Sequence, residues 1–192
     1  MKICIYGASS NAIDKSFLDA GEVLGESLAK CDHTVVFGGG AAGLMGAVAR
    51  GAHKAGGKII GICPSFFNVD GALFTDCTQM IYTETMRERK QLLEEMSDAF
   101  VITPGGIGTF DEFFEIYTLR QLGVHQKPIA IYNTNGYYNS LIDMLNNTIN
   151  KSFMSKTNMD LLFFSDNPQE IINHLQNYNP TEHTAAAFKF IK

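Results

Sequence analysis

"TPGGIGTFDEFFE", residues 103–115, opens on the end of an apolar run and closes inside a helix. Three glycines, Gly105, Gly106 and Gly108, occupy the turn between them. Glycine lets backbone N–H groups close on an anion, and the dipole of a helix start favours one. Thr109 adds a hydroxyl. A phosphate suits this turn better than a connection needing glycine for geometry alone. Yet a carboxylate, Glu112, follows within one helical turn. It shares a face with Ile116 and Leu119, between Phe110 and Phe113, whereas Asp111, Glu115 and Thr118 form the polar stripe. A carboxylate turned toward apolar surroundings needs a reason.

The apolar run ahead of the turn, AFVIT (99–103), belongs to a series: KICIY (2–6), TVVFGGG (34–40), KIIGIC (58–63), QMIYT (79–83), PIAIYN (128–133) and LLFFS (161–165). Helical patterns alternate with them: up to about Lys30, over 44–55, 85–98 and 109–122, and near 137–150 and 168–177. Thr85 and Glu88 have the spacing of a capping box, while residues 64–78 read as irregular. Continuous apolar runs alternating with helices predict an α/β fold, a Rossmann-like doubly wound parallel sheet with helices on both faces. Such sheets bind ligands at the carboxyl ends of their strands. The turns "GASS" (7–10), "GGGAAGLMG" (38–46) and "PGGIGT" (104–109) all fall there. "GGGAAG" has G-x-G-x-x-G spacing, but it follows the second strand, and the next strand ends in "GICPS" without an acid. That speaks against a dinucleotide.

On the helix before AFVIT, Met86, Arg89, Leu93 and Met96 have 3-4-3 spacing. Arg89 therefore lies in the apolar stripe, while Arg87 and Lys90 look outward. Two inward charges of opposite sign, on helices flanking one strand, predict a pair in one pocket, for binding or catalysis rather than for structure alone.

The 192 residues are 45% apolar and 18% charged, with no linker to divide them. One domain over residues 1–178 is expected, with a tail at 179–192 that the pattern does not read. A net charge of −5 speaks against nucleic acid as a partner. Four cysteines without a C-x-x-C pair read as reduced thiols. The N-terminus reaches Gly7 too soon for a signal-peptide core, and no run has the length of a membrane helix, so a cytoplasmic protein without a membrane partner is expected. The five histidines, scattered without ligand spacing, read as surface or turn residues, and no metal site is expected.

At these residues the sequence resembles a known family. "PGGIGTFDE" is similar to the P-G-G-x-G-T-x-x-E signature of the LOG (Lonely Guy) phosphoribohydrolases, long labelled lysine decarboxylases. "MRERK" (86–90) resembles the family's M-H-x-R-K segment. "YGASS" (6–10), "GGGAAGLMGAVA" (38–49), "QLGVHQKP" (121–128) and "NTNGYYNSL" (133–141) resemble further family blocks. The resemblance implies hydrolysis of the N-glycosidic bond of AMP or an N6-modified AMP to free base and ribose 5-phosphate. It implies Arg89 and Glu112 as the catalytic pair. Lys90, Gly105, Gly106, Ile107, Gly108 and Thr109 would meet the nucleotide, with Thr118 nearby, and Ser9, Gly39, Gly40, Met45 and Met86 complete the expected set. No cofactor is implied; a homodimer is. Arg87 stands where the family motif has histidine, Leu119 where a tryptophan is common, and residues 68–78 lack the usual acidic pattern. These departures bear on base preference and pocket shape more than on the reaction.

That chemistry accounts for the carboxylate behind the anion turn. Breaking the bond from C1' to a base nitrogen develops positive charge on the ribose, which a fixed carboxylate stabilises. It must sit about a sugar's length from the phosphate, as Glu112 would. Two rival readings are a non-catalytic nucleotide carrier or sensor and a true lysine decarboxylase. The latter would need pyridoxal phosphate on a buried lysine, and the lysines here fall mostly at surface-like positions.

Overall fold

The strand runs Ile59–Pro64, Ala99–Ile102 and Ile129–Tyr132 are buried end to end, which requires cover on both faces of the sheet. The computed structural model describes residues 1–180, so the tail expected from residue 179 lies almost wholly outside the described residues. Seven parallel strands form one sheet: β1 (Lys2–Tyr6), β2 (Thr34–Phe37), β3 (Ile59–Pro64), β4 (Gln79–Thr83), β5 (Ala99–Ile102), β6 (Ile129–Tyr132) and β7 (Leu162–Ser165). Their order is β4-β3-β2-β1-β5-β6-β7. β1 is central, with Ile3 opposite Val35 of β2 on one side and Ala99 of β5 on the other. The direction of winding reverses between β1 and β5, and the two connections leave a crevice above the carboxyl ends of those strands.

Helices cover both faces. On one side α1 (Lys15–Lys30), α2 (Gly43–Lys54) and α7 (Pro168–Gln176) bury Leu24, Val48 and Ile171 against Ile5, Phe37 and Val101. On the other, α3 (Met86–Glu95), α4 (Ile107–Gln121) and α5 (Asn139–Asn150) bury Leu93, Phe113, Ile116 and Leu141 against Cys4, Phe100 and Ile131. A short helix, α6 (Lys156–Met159), precedes β7; its four residues are too few to show a period. α1 and α2 meet at backbone distance: a Cβ on Gly25 would strike the Val48 carbonyl, and one on Gly51 the Glu22 carbonyl.

The doubly wound parallel sheet is the expected class, and it differs from the expectation in detail. α4 begins two residues earlier than its pattern suggests, so the glycines form the first turn of the helix itself. Of the histidines read as surface or turn residues, His33 and His125 lie in connections between elements but are buried. The Nδ1 of His125 accepts the Lys127 N–H at 3.2 Å, and its Nε2–H donates to the Ile116 carbonyl at 2.9 Å. Burial holds this imidazole neutral, with its pKa pushed down to about 4. The ring ties the end of α4 to the approach of β6, a structural task that scattered spacing does not disclose.

Candidate active site

Among the described residues, four helices carry a side-chain cap at their start: Asp14 for α1, Thr85 for α3, Ser155 for α6 and Asn167 for α7. α4 starts on Gly106, with no side-chain cap hydrogen bond. The first N–H groups of a helix have no partner within it, so here they remain available to a ligand. A Cβ on Gly106 or Gly108 would meet nothing within 4 Å, so both glycines face open space. Gly105 and Gly7 are glycines for the opposite reason. A Cβ on Gly105 would strike the Thr109 hydroxyl, and one on Gly7 the Thr103 hydroxyl. Thr103 in turn donates to the Tyr6 carbonyl at 2.9 Å, holding the ends of β1 and β5 side by side.

Above this crest lies a cavity of about 720 Å³, large enough for a nucleotide. Ser9 and Ser10 after β1, Gly38 and Gly40 after β2, and the Pro104–Thr109 turn after β5 form its floor. Phe17, Met45, Phe67, Leu73, Met86 and Tyr137 give it apolar walls.

Arg89 and Glu112 meet at the inner end. The Arg89 Nη1–H donates to Glu112 Oε1 at 2.7 Å, and both residues are buried, at 7% and 6% exposure. The position of Arg89 follows from the start of its helix. The Thr85–Glu88 capping box fixes the first turn of α3, and Arg89 comes next, directed at the sheet. Its guanidinium lies on Gly38, where a Cβ would collide with Nη2. Burial raises the Glu112 carboxyl above its ordinary value; the charge and hydrogen bond of Arg89 pull it partly back. The pair thus holds a desolvated carboxylate beside a fixed cation, one turn inside an uncapped helix start.

Most of the residues expected at the site come together here. Ser9, Gly40, Met45, Met86, Arg89, Gly105, Gly106, Ile107, Gly108, Thr109 and Glu112 all line the cavity. Three do not. Gly39 adopts φ +79° and packs beneath, toward Met80 and Cys63, while its carbonyl accepts from the Phe74 N–H at 2.9 Å. Lys90 is held outside, its Nζ 3.1 Å from Asp111 and 2.9 Å from Glu115. Thr118 is exposed on α4, in a smaller groove with Tyr117, Met144 and Phe153. Phe17, Phe67 and Tyr137 are cavity residues that sequence reasoning missed. Tyr137 lies within the "NTNGYYNSL" block, which was its available signal; Phe67 lies in the segment read as irregular and had none.

The family described as "Possible lysine decarboxylase" matches residues 45–175 of the chain. A cytokinin riboside 5'-monophosphate phosphoribohydrolase of Arabidopsis thaliana is 33% identical over 185 residues, covering 96% of this chain and 86% of its own. A protein of Oryza sativa subsp. japonica, named as a probable enzyme of that kind, is 32% identical over 179 residues, 93% of this chain and 72% of its own. Among solved structures, the molybdenum cofactor binding protein of Rippkaea orientalis superposes with a TM-score of 0.70 at 21% identity, over 91% of this chain and 94% of its own. That last likeness concerns the fold alone.

Proposed function

The chain belongs to the family described as "Possible lysine decarboxylase", which includes the LOG phosphoribohydrolases, and on that premise we propose that it hydrolyses the N-glycosidic bond of AMP or an N6-modified AMP, releasing free base and ribose 5-phosphate. The observation that carries this reading is the buried Arg89–Glu112 pair one helical turn behind the uncapped start of α4. A phosphate on the N–H groups of residues 106–109 directs the ribose inward, and the base lies against Phe17, Phe67 and Met86. As the bond from C1' to the base nitrogen breaks, positive charge grows on the ribose. The Glu112 carboxylate stabilises it and orients the water whose oxygen bonds to C1'. Arg89 keeps Glu112 ionised and in place. A water proton passes to the solvent or the carboxylate, and the base leaves with one proton.

A decarboxylase of the lysine–Schiff-base type lacks support despite the family's description. No lysine lines the cavity formed by the described residues. Lys90 is engaged by Asp111 and Glu115, and the Lys127 Nζ donates to the Glu94 carbonyl.

The test is chromatography of protein incubated with AMP and with N6-isopentenyl-AMP, beside Glu112→Gln. Wild type should release free base, and the variant should be slower by at least about 100-fold, the scale of losing one electrostatic stabiliser. Tight AMP binding without base release would replace the hydrolase with a nucleotide carrier or sensor.

A further inference from the structure

The anion turn has an unusual accounting of its carbonyls. Four consecutive ones each accept a hydrogen bond, two from adjacent tyrosines, one from the segment after β1 and one from the helix. The Thr103 carbonyl accepts from the Tyr138 hydroxyl at 2.7 Å. The Pro104 carbonyl accepts from the Ala8 N–H at 3.0 Å. The Gly105 carbonyl accepts from the Tyr137 hydroxyl at 2.7 Å. The Gly106 carbonyl accepts from the Phe110 N–H at 3.0 Å, the first bond of α4. Three of these bonds are imposed by β-sheet neighbours, by a buried tyrosine or by the helix. The exception is Gly105, whose carbonyl is held by the hydroxyl of a side chain on the wall of the cavity.

That carbonyl belongs to the Gly105–Gly106 peptide. In a trans peptide the C=O and the following N–H point in opposite directions. A peptide flanked by two glycines rotates with little steric resistance. If it turned over, an oxygen carrying partial negative charge would take the direction in which the Gly106 N–H now points, opposite to the Gly105 carbonyl. The Tyr137 hydroxyl opposes that rotation, because turning the peptide would break its bond to Gly105.

The loop that supplies Tyr137 is itself braced. Asn133, just after β6, accepts the Tyr138 N–H at 2.7 Å and donates to Asn139 at 2.9 Å. Gly136 adopts φ +67°, which reverses the chain ahead of the tyrosines. The Tyr137 ring stands edge-on to Phe17 at 5.9 Å and to Tyr138 at 5.0 Å. Its position is therefore set by β6 and α1, not by the turn it contacts.

We propose that Tyr137 is the positioning residue of the anion turn: its hydroxyl locks the Gly105–Gly106 peptide so that an N–H, and not a carbonyl, is presented to the phosphate. This rests on the reading of the turn as a phosphate site, though not on hydrolysis. A purely structural tyrosine would affect all ligands and stability alike. A peptide lock acts on the phosphate alone.

Calorimetric titration with ribose 5-phosphate, which has no glycosidic bond left to cleave, and with adenosine, which has no phosphate, separates the two. Tyr137→Phe keeps the ring and removes only the hydroxyl. It should weaken ribose 5-phosphate by about 3- to 10-fold, the equivalent of one net hydrogen bond. Adenosine affinity should stay at its wild-type value. Unchanged ribose 5-phosphate affinity, or an equal loss for both ligands, would overturn the lock. So would a wild type that does not bind ribose 5-phosphate. A wild type that binds it but releases no base from AMP would sink the hydrolase and leave the lock standing.

Discussion

At the residue scale, the site is a desolvated carboxyl whose charge one neighbour favours and burial opposes. Glu112 sits above the ordinary carboxylate range because burial outweighs the pull of Arg89. If the ionised form is the active one, kcat/KM should rise with pH along an acid limb lying above the usual glutamate value. Glu112→Gln should abolish the limb with the activity, and a limb at the ordinary carboxylate pKa would count against the burial argument. The sign for stability is opposite. A folded-state pKa above the unfolded one means that folding favours the protonated form. Glu112 then contributes stability below the unfolded pKa, and that contribution is lost as pH rises through the folded value. The two charges were legible in the sequence because helical spacing places Arg89 and Glu112 on apolar stripes, and a charge there is conspicuous. Tyr137 was not legible in this way. Its partner is a backbone carbonyl 32 residues away, and no period in the sequence connects a side chain to a distant carbonyl.

Among the elements, glycines play two physically different parts, and substitution should separate them. Gly25 lets α1 approach α2, and a Cβ there would run into the Val48 carbonyl, which cannot move without moving its helix. Gly25→Ala should cost about 1–3 kcal/mol by overpacking, a fall in melting temperature on the order of 2–10 °C for a chain of this size. Gly106 has φ −95° and open space where a Cβ would go. Gly106→Ala should leave the melting temperature nearly unchanged while lowering kcat/KM for AMP, since its methyl would occupy ligand space. Thermal melts and steady-state rates on the two variants check both arms; a stable, fully active Gly106→Ala would remove that residue from the site. The strands were legible because parallel strands buried on both faces must be apolar throughout. The start of α4 was less so. Gly106 and Gly108 depress helix propensity, yet the helix begins among them because tertiary contacts hold the turn.

For the whole molecule, the placement of the cavity follows from strand order. Alternating elements announce a parallel sheet but do not say which strand is central. Only the pairing of β1 with both β2 and β5 puts the three glycine turns around one crevice. On the proposed reading, a ligand spanning that crevice would bind through its phosphate at one end and react at the other, so that the remote group positions the reacting bond. AMP should therefore exceed adenosine in kcat/KM by at least about 100-fold, the equivalent of two charge-assisted hydrogen bonds. Parallel assays of base release measure this ratio, and equal use of the two substrates would remove the phosphate anchor from the mechanism.

The central place of β1 also sets a clock. Its lattice of bonds to β5 spans most of the first half of the chain, as the Thr103 hydroxyl reaching the Tyr6 carbonyl across 97 positions illustrates. A ribosome adding about 5–20 residues per second needs roughly 5–20 s to cover that interval. Until β2 has been made the nascent β1, almost wholly apolar, has neither sheet neighbour, and from then until β5 is made it has β2 on one side only. The crevice between β1 and β5 can therefore close only after residue 102 has been made, and the interval before that is when this chain has most need of a chaperone.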